Sequence, residues 1–357
     1  MSKLFWKNKK ILVTGHTGFK GSWLSLWLDY LGADVIGLSL EPPTKKNLYT
    51  KAKIKTKILS LRGDIRNYKV VRNVIKKHKP DIIFHLAAQA LVLDSYKLPL
   101  ETYQTNVLGS LNVLEAARQS INKKCSIIMV TTDKCYKNDE KGKSFKESSE
   151  LGGKDMYSSS KASAEIMIQS YRESFLPSSR YKNHKIGIAS VRGGNVIGGG
   201  DWSKDRLIPD IINSLPLKKR LNIRNPKSVR PWQHVFDLLN GYIILAEKLH
   251  LDGKSYSEAW NFGPKPKDFR NVEWIAKELI NIWESKKIIF TNKTNLPNEA
   301  NLLFLNSSKS RKRLKWKPKY NLKNTLTKIV EWHKEELINK DMLEYSTNQL
   351  KDFISNK

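Results

Sequence analysis

The sequence predicts an α/β fold in which helices cover both faces of a doubly wound parallel sheet. Short apolar runs alternate with amphipathic stretches through the first half of the chain, and the first run leads directly into a glycine-rich turn. Such alternation is typical of strand–helix–strand units. After about Gly194 the alternation weakens, and glycine, proline and tryptophan become more frequent. We therefore expect a Rossmann-type sheet with a smaller, interleaved C-terminal substrate-binding domain.

The period of the apolar residues assigns the elements in chain order. The predicted strands are Lys10–Thr14, Asp34–Leu38, Ile58–Leu61, Ile82–Leu86, Ser126–Thr131 and Lys185–Val191. The predicted helices are Gly21–Leu31, Tyr68–Lys77, Leu100–Arg118, Tyr157–Phe175, Leu207–Ser214, Val235–Leu249, Val272–Ser285 and Thr325–Ile338.

The same pattern predicts the domain organisation. Residues 1–194 form the dinucleotide-binding domain, with a returning segment near 230–262. Residues 195–340 form most of the substrate-binding lobe, and residues 341–357 form a flexible tail.

Composition limits the class of protein. The 357 residues are 39% hydrophobic, which suffices for a large core. Cys125 and Cys135 have neither metal-ligand spacing nor the number needed for a disulfide framework, so no metal site is expected and a reducing cytoplasm fits. No stretch approaches the ~18 apolar residues of a membrane span. We expect a soluble, cytoplasmic protein.

The net charge of +30 permits binding to nucleic acid. The lysines are scattered along the chain rather than gathered in one stripe, which favours a solvated surface and no nucleic-acid partner. An RNA-binding or scaffold protein, built on an enzyme fold that has lost its activity, is the remote alternative.

A dinucleotide site is predicted at the first strand. Gly15, Gly18 and Gly21 follow Lys10–Thr14 and open a helix, with Thr17 and Phe19 in the same turn. The first glycine permits the tight turn, the second the approach of a pyrophosphate, and the third close packing of helix on strand. The helix N-terminus would hold the anion.

Further cofactor contacts are expected where the later strands end. The second strand ends in Ser39, where an acid usually binds the ribose hydroxyls, yet no arginine follows to bind a 2′-phosphate, so NAD is favoured over NADP. Asp64 contacts adenine or caps a turn. Ile65, Asn106 and the run Leu86, Ala87, Ala88 and Gln89 complete the predicted cofactor contacts.

Tyr157 and Lys161 lie four residues apart, on one face of a predicted helix. A nearby ammonium and a cationic nicotinamide ring both favour the phenolate of a tyrosine. Tyr157 is therefore a candidate base for an alcohol that loses a hydride. An ordinary helix face is the alternative interpretation of this spacing.

Thr132, Asp133 and Lys134 follow the fifth strand, at the sheet edge where α/β folds bind ligands. Thr132 can hydrogen-bond a substrate hydroxyl. Oxidation of an alcohol or epimerisation at C4 needs only the tyrosine, the lysine and a hydroxyl, whereas loss of water needs a second acid and base. Asp133 and Lys134 supply that second pair, unless they are solvated charges of a turn.

These residues resemble the nucleotide-sugar 4,6-dehydratases, a family of extended short-chain dehydrogenases/reductases. Lysine after aspartate in Thr132-Asp133-Lys134 resembles the CDP-glucose branch, since related dehydratases have Thr-Asp-Glu. Leu151 to Tyr157 and Arg192 to Gly198 are also similar to that branch. Leu93 departs from it, because the branch tends to have a basic residue there.

The resemblance implies the reaction and the remaining contacts. Tyr157, tuned by Lys161, takes the C4 hydroxyl proton as hydride passes to NAD⁺, water leaves across C5 and C6, and hydride returns to C6. Asp133 and Lys134 share the acid and base roles in either order.

The resemblance places Gln89, Asn195, Arg206 and Arg230 on the substrate, with a surface ion pair as the alternative for Arg230. It also implies a homodimer through Leu100–Arg118 and Tyr157–Phe175. Another nucleotide-sugar dehydratase or a 4-epimerase acting on a dTDP-, GDP- or UDP-hexose is the alternative function.

Overall fold

The apolar runs of the first half form one parallel sheet. The computed structural model describes residues 3–216, 221–223, 225–284, 290–292 and 302–355. Within these ranges the sheet has seven strands: β1 Lys10–Thr14, β2 Asp34–Ser39, β3 Leu59–Arg62, β4 Ile82–His85, β5 Cys125–Val130, β6 Ile186–Gly193 and β7 Ala259–Phe262. Their spatial order is β7-β6-β5-β4-β1-β2-β3, and all neighbours are parallel. The order reverses between β1 and β4, where open α/β sheets bind ligands.

Burial explains why the central strands lack an alternating pattern. Strands β4, β5 and β6 are buried along their whole length, as helices on both faces of a sheet require. Two large apolar clusters lie on the two faces of this sheet. The predicted fold class, a doubly wound parallel sheet, is confirmed. Six of the strands differ from their predicted bounds by only a residue or two.

The helices of eight residues or more are α1 Phe19–Tyr30, α2 Tyr68–His78, α3 Gly109–Ser120, α4 Met156–Phe175, α5 Leu207–Ser214, α6 Val235–Leu251, α7 Val272–Trp283, α8 Leu322–Leu337 and α9 Met342–Ser355. Shorter α-helices are Lys3–Trp6, Leu48–Lys51, Val92–Lys97, Pro99–Tyr103, Tyr181–His184, Gly253–Tyr256 and Ser308–Arg313. Single 3₁₀ turns are Ile54–Thr56, Asp133–Cys135, Ser178–Arg180 and Pro266–Asp268. In the described ranges no helix has both the length and the apolarity to cross a membrane.

The long helix predicted over Leu100–Arg118 is helical throughout but not regular. It consists of Pro99–Tyr103, a π-helical segment Gln104–Leu108, and α3. The π segment buries Asn106, whose side chain reaches the loop after β4. Such π segments are frequent at functional sites.

The second part of the chain packs helices α5, α7 and α8 around an apolar cluster of its own. Ile211, Ile275, Leu279 and Leu326 are fully buried in that cluster. Small two-stranded sheets lie outside the main sheet, formed by Ser144–Phe145 with Phe304–Leu305, Val196–Ile197 with Gln233–His234, Val229–Pro231 with Phe269–Asn271, and Leu221–Ile223 with Phe290–Asn292. Strand β7 returns from this part of the chain to the edge of the main sheet.

The C-terminal segment corrects one expectation. Residues 341–357 were predicted as a flexible tail, but Met342–Ser355 forms helix α9. Leu350 and Phe353 are fully buried in the cluster that also contains Trp27 and Phe236. The apolar residues of this segment therefore have a partner surface on the main domain, which the local sequence does not reveal.

Candidate active site

The glycine turn after β1 has the geometry that its spacing predicts. Gly15 has φ +77°, and a Cβ atom there would lie 2.7 Å from the amide nitrogen of Ala87. A Cβ atom on Gly21 would lie 2.1 Å from the carbonyl oxygen of Gly15. Gly18 precedes helix α1 and no side chain caps that helix. Its first amides are thus left for an anion.

The end of β2 carries hydroxyls instead of a carboxylate. Thr17 and Ser39 share a hydrogen bond of 2.8 Å between their side-chain oxygens, and Thr17 also donates to the carbonyl of Leu40. The nearby acid, Glu41, pairs with Arg62 at 2.5 Å. A ribose at this edge would thus meet two hydroxyl groups.

Asp64 forms a turn of its own. Its carboxylate accepts a hydrogen bond from the backbone amide of Arg66 at 2.8 Å and from the guanidinium of the same residue. Those hydrogen bonds lower the pKa of Asp64. Ile65 is buried beside it. The structure thus contains the turn-capping contact that the sequence offered as one of two roles for Asp64.

The loop after β4 is held by Asn106. Its side-chain oxygen accepts from the amide of Gln89 at 2.9 Å, and its amide group donates to the Gln89 carbonyl and to Ser160 on α4. The Gln89 side chain donates to Leu91 and Thr102 rather than lining the pocket. Leu86, Ala87 and Ala88 form the half-buried loop between β4 and Gln89.

Tyr157 and Lys161 lie on the first turns of α4, which begins after the capping residue Asp155. Both side chains are buried. Burial raises the pKa of Tyr157 to about 12, opposed by its hydrogen bond with Thr132. Burial and the charge of Lys20 lower the pKa of Lys161 to about 7. In the ligand-free protein, burial thus favours the neutral forms of the Tyr157 phenol and the Lys161 amine.

Thr132, Asp133 and Lys134 occupy the turn after β5. The Thr132 hydroxyl donates to Oδ1 of Asp133 at 3.1 Å and accepts from the backbone amide of Lys134 at 3.4 Å. Oδ2 of Asp133 is buried and has no hydrogen-bond partner among the described residues. Burial raises the pKa of Asp133 to about 6, against the opposing charges of Lys134 and Arg230. This carboxyl can therefore carry a proton near neutral pH.

One pocket brings these groups together with most of the predicted substrate contacts. Its lining includes Phe19, Thr132, Asp133, Lys134, Tyr157, Asn195, Arg206 and Arg230. Arg206 is half-buried and lies 3.7 Å from Asp201, and Arg230 is buried. Leu93, where the resembling branch tends to be basic, also lines this pocket. The Asp133 carboxyl, the Lys134 amine, the Tyr157 phenol and two guanidinium groups thus line one space.

Sequence reasoning missed Lys20. This half-buried lysine lies in the glycine turn and lines the same pocket. Burial and the charge of Arg206 lower its pKa to about 8, and Asp133 and Asp201 oppose that shift. The signal was present, since a charged residue between Gly18 and Gly21 stands in an otherwise uncharged turn.

Comparison with known proteins agrees with this geometry. A model of the GDP-mannose 4,6 dehydratase family matches residues 12–329. The CDP-glucose 4,6-dehydratase of Salmonella typhimurium is 45% identical over 355 residues, which cover 99% of each chain.

Two solved structures have the same fold. The dTDP-glucose 4,6-dehydratase of Bacillus anthracis, in complex with NAD, has a TM-score of 0.76 and 23% identity, covering 94% of this chain and 99% of that one. The UDP-glucose 4-epimerase of Thermus thermophilus, in complex with NAD, has a TM-score of 0.78 and 21% identity, covering 91% and 99%.

Proposed function

We propose, because the chain belongs to the GDP-mannose 4,6 dehydratase family, that it converts CDP-glucose to CDP-4-keto-6-deoxyglucose with NAD as cofactor. One observation carries the proposal. Asp133 and Lys134 line the same pocket as Tyr157, and an oxygen of Asp133 is buried without a partner among the described residues. Dehydration needs this second acid and base, and epimerisation does not. The identity of 45% to the Salmonella enzyme supports CDP-glucose as the substrate.

The residues of the glycine turn fit NAD. Backbone atoms pack closely against Gly15 and Gly21, and no side chain caps the N-terminus of α1, which is thus open to a pyrophosphate. Thr17 and Ser39 offer hydroxyl groups to a ribose, and the guanidinium of Arg62 is already paired with Glu41. We therefore favour NAD over NADP. Bound NAD⁺ would accept a hydride from C4 of the sugar and return it to C6.

Tyr157 would take the proton of the C4 hydroxyl, leaving a ketone at C4. Because the pKa of Tyr157 is raised in the ligand-free protein, the phenolate forms only when positive charge lies nearby. Lys161, one helical turn further along α4, supplies that charge when protonated. Thr132 lies within hydrogen-bonding distance of the phenol and orients it.

Asp133 and Lys134 would then remove water. The C4 ketone acidifies the proton on C5, which Lys134 takes as the base. Asp133, whose raised pKa keeps part of its population protonated near neutral pH, gives its proton to the C6 hydroxyl as the C6–O bond breaks. Lys134 returns a proton to C5 when C6 is reduced, so the product is a 4-keto-6-deoxyhexose.

The guanidinium groups would bind the diphosphate that links sugar and base. Arg206 and Arg230 line the pocket together with Asn195. An arginine binds phosphate oxygens in pairs through its planar fork. Gln89 remains a predicted substrate contact, although its side chain is engaged within its own loop.

The test is an assay of purified protein with NAD⁺ and, separately, CDP-glucose, dTDP-glucose, UDP-glucose and GDP-mannose. We expect the ketosugar only from CDP-glucose, detected by its absorbance in alkali and by mass. Turnover of another sugar nucleotide instead would reject the CDP assignment. Release of a C4 epimer without loss of water would reject dehydration.

We also propose a homodimer. Large exposed apolar side chains concentrate on the segment 99–120 and on α4, which pack side by side. Leu100 is 78% exposed, Leu108 53% and Ile166 57%. Large apolar side chains exposed on adjacent helices are expected to be covered by a partner. Two copies joined by these helices would form a twofold-symmetric four-helix interface.

We place the enzyme in the cytoplasm. Both cysteines are free and buried, which fits a reducing compartment.

A further inference from the structure

A buried ion pair lies behind the pocket. Nη2 of Arg192, on β6, donates to Oε2 of Glu165, on α4, at 2.6 Å, and the two side chains are 5% and 2% exposed. Neither residue lines the pocket. The Glu165 carboxylate also accepts from Thr131 at 2.5 Å and from Ser190 at 2.8 Å. A buried ion pair is favourable only when its remaining oxygens are satisfied in this way.

This pair holds both ends of the turn that carries Asp133 and Lys134. Thr131, which donates to Glu165, immediately precedes the turn. Tyr136 follows it, and its hydroxyl accepts from Nη1 of Arg192 at 2.8 Å. The turn is thus tied at one end to Glu165 and at the other end to Arg192, the two members of one ion pair.

The Tyr136 side chain has no freedom to move. Its ring is 1% exposed, stacks on Phe145 with centroids 5.1 Å apart, and lies under the guanidinium of Arg192. Its hydroxyl donates to Oδ1 of Asn261, on β7, at 2.7 Å. Burial raises the pKa of this hydroxyl well above its ordinary value, so it remains a neutral donor. Four elements of the fold, β5, β6, β7 and α4, therefore converge on the turn.

We propose that Tyr136 is a positioning residue for the loss of water, acting through Arg192 and Glu165 on the placement of Asp133 and Lys134. This inference rests on the proposed function. Elimination requires a carboxyl group and an amine to reach two adjacent carbons of the same sugar, so small displacements of the turn cost rate. Oxidation at C4 depends on Tyr157, which is fixed by its place on α4 and contacts the turn through Thr132. Loosening the other end of the turn, at Tyr136, should therefore slow elimination far more than oxidation.

The test removes one hydroxyl group and keeps the ring. In Tyr136→Phe the two hydrogen bonds at the end of the turn are lost while the stacking remains. The matched control is Tyr171→Phe, because the buried Tyr171 hydroxyl likewise donates to a carboxylate, Glu115 at 2.5 Å, and accepts from Arg118. Those partners lie near the C-terminal end of α3, which leads to the start of β5, whereas the turn follows the end of β5. A second variant, Thr131→Val, loosens the other end of the turn.

With NAD⁺ and CDP-glucose, we expect kcat of Tyr136→Phe to fall on the order of 10- to 100-fold with little change in KM. Oxidation at C4 produces NADH, whose near-ultraviolet absorbance should rise at the wild-type rate. This absorbance should then persist, because elimination has become slow. Thr131→Val should behave similarly, and Tyr171→Phe should match the wild type. Wild-type kcat in Tyr136→Phe, or equal slowing of oxidation and elimination, would overturn the proposal.

A second measurement does not depend on the substrate. Amide hydrogen exchange in the ligand-free protein should become faster across 132–136 in Tyr136→Phe and remain unchanged there in Tyr171→Phe. Unchanged exchange in Tyr136→Phe would also overturn the positioning role. If the wild type dehydrates none of the sugar nucleotides, the proposed function fails, and the exchange data still judge the role of Tyr136.

Discussion

The Oδ2 atom of Asp133 lies 3.0 Å from the position that a Cβ atom on Gly194 would occupy. The same Cβ atom would lie 2.7 Å from the ring of Pro231. Since Oδ2 is buried without a partner among the described residues, the absence of a side chain at Gly194 preserves the space in front of the carboxyl group. Gly194 thus belongs to the geometry of the acid although it has no chemistry of its own.

Gly194→Ala should therefore displace the Asp133 carboxyl. We expect kcat to fall at least about 10-fold, with a loss of stability of about 1–3 kcal/mol from overpacking. The control is Gly187→Ala on β6, the strand that ends just before Gly194. Its added Cβ atom would lie 2.9 Å from Leu249, and neither residue lines the pocket. That variant should lose stability but retain kcat. Steady-state kinetics and urea denaturation of both variants check this, and wild-type kcat in Gly194→Ala would contradict it.

Burial of the Asp133 carboxyl should lower the free energy of unfolding at neutral pH and should not lower it at acid pH, when this group is considered by itself. Below about pH 4 the carboxyl is protonated in both the folded and the unfolded chain. Between about pH 4 and about pH 6, the pKa of this carboxyl in the folded protein, the carboxyl ionises only in the unfolded chain. The free energy of unfolding therefore falls as pH rises. Above pH 6 the carboxyl is ionised in both states, and its burial then lowers the free energy of unfolding by the full amount, about 3 kcal/mol.

Asp133→Asn should accordingly be more stable than the wild type above about pH 6, by up to about 3 kcal/mol, with the difference vanishing below about pH 4. Urea denaturation across this range measures it. Asp64→Asn is the control with the opposite sign, because Arg66 lowers the pKa of that carboxyl. It should destabilise above about pH 4. A difference between Asp133→Asn and the wild type that does not vary with pH would reject the raised pKa.

Local sequence predicted the parts of the site that follow local rules. The glycine turn after β1, the pair Tyr157 and Lys161 on one helix, and the turn after β5 each depend on residues a few positions apart. The strand ends then meet at one edge of the sheet because the strands are parallel. The pocket that contains Asp133, Lys134 and Tyr157 follows from these rules.

Contacts between distant residues were not predictable in this way. Arg192 and Glu165 are separated by 27 positions and meet because β6 and α4 pack together. Lys20 was passed over because the glycine pattern gives no direction for the side chain between the glycines. Helix α9 was missed because its apolar residues need the surface of Trp27 and Phe236 to be buried.

A charge on the exposed apolar face should prevent the proposed dimer from forming. Leu100→Glu and Ile166→Glu each place a carboxylate on the face formed by the segment 99–120 and α4, where burial in an interface would be costly. We expect monomers by light scattering at concentrations where the wild type is dimeric. Leu4→Glu, at a residue 83% exposed outside these helices, should remain dimeric. A monomeric wild type, or dimers in both face variants, would contradict the interface.

Phe353 should contribute to global stability although it lies near the C-terminus. Its ring is fully buried, with its centroid 5.1 Å from that of Tyr320 and 5.6 Å from that of Trp27. Truncation of a buried phenylalanine leaves a cavity, so Phe353→Ala should lower the free energy of unfolding by about 3–5 kcal/mol. The matched control is Ile338→Ala, at a residue 72% exposed, with an expected change of about 0.5 kcal/mol or less. Chemical denaturation measures both. If the last segment were a flexible tail, the two variants would unfold alike, because neither side chain would then be removed from water.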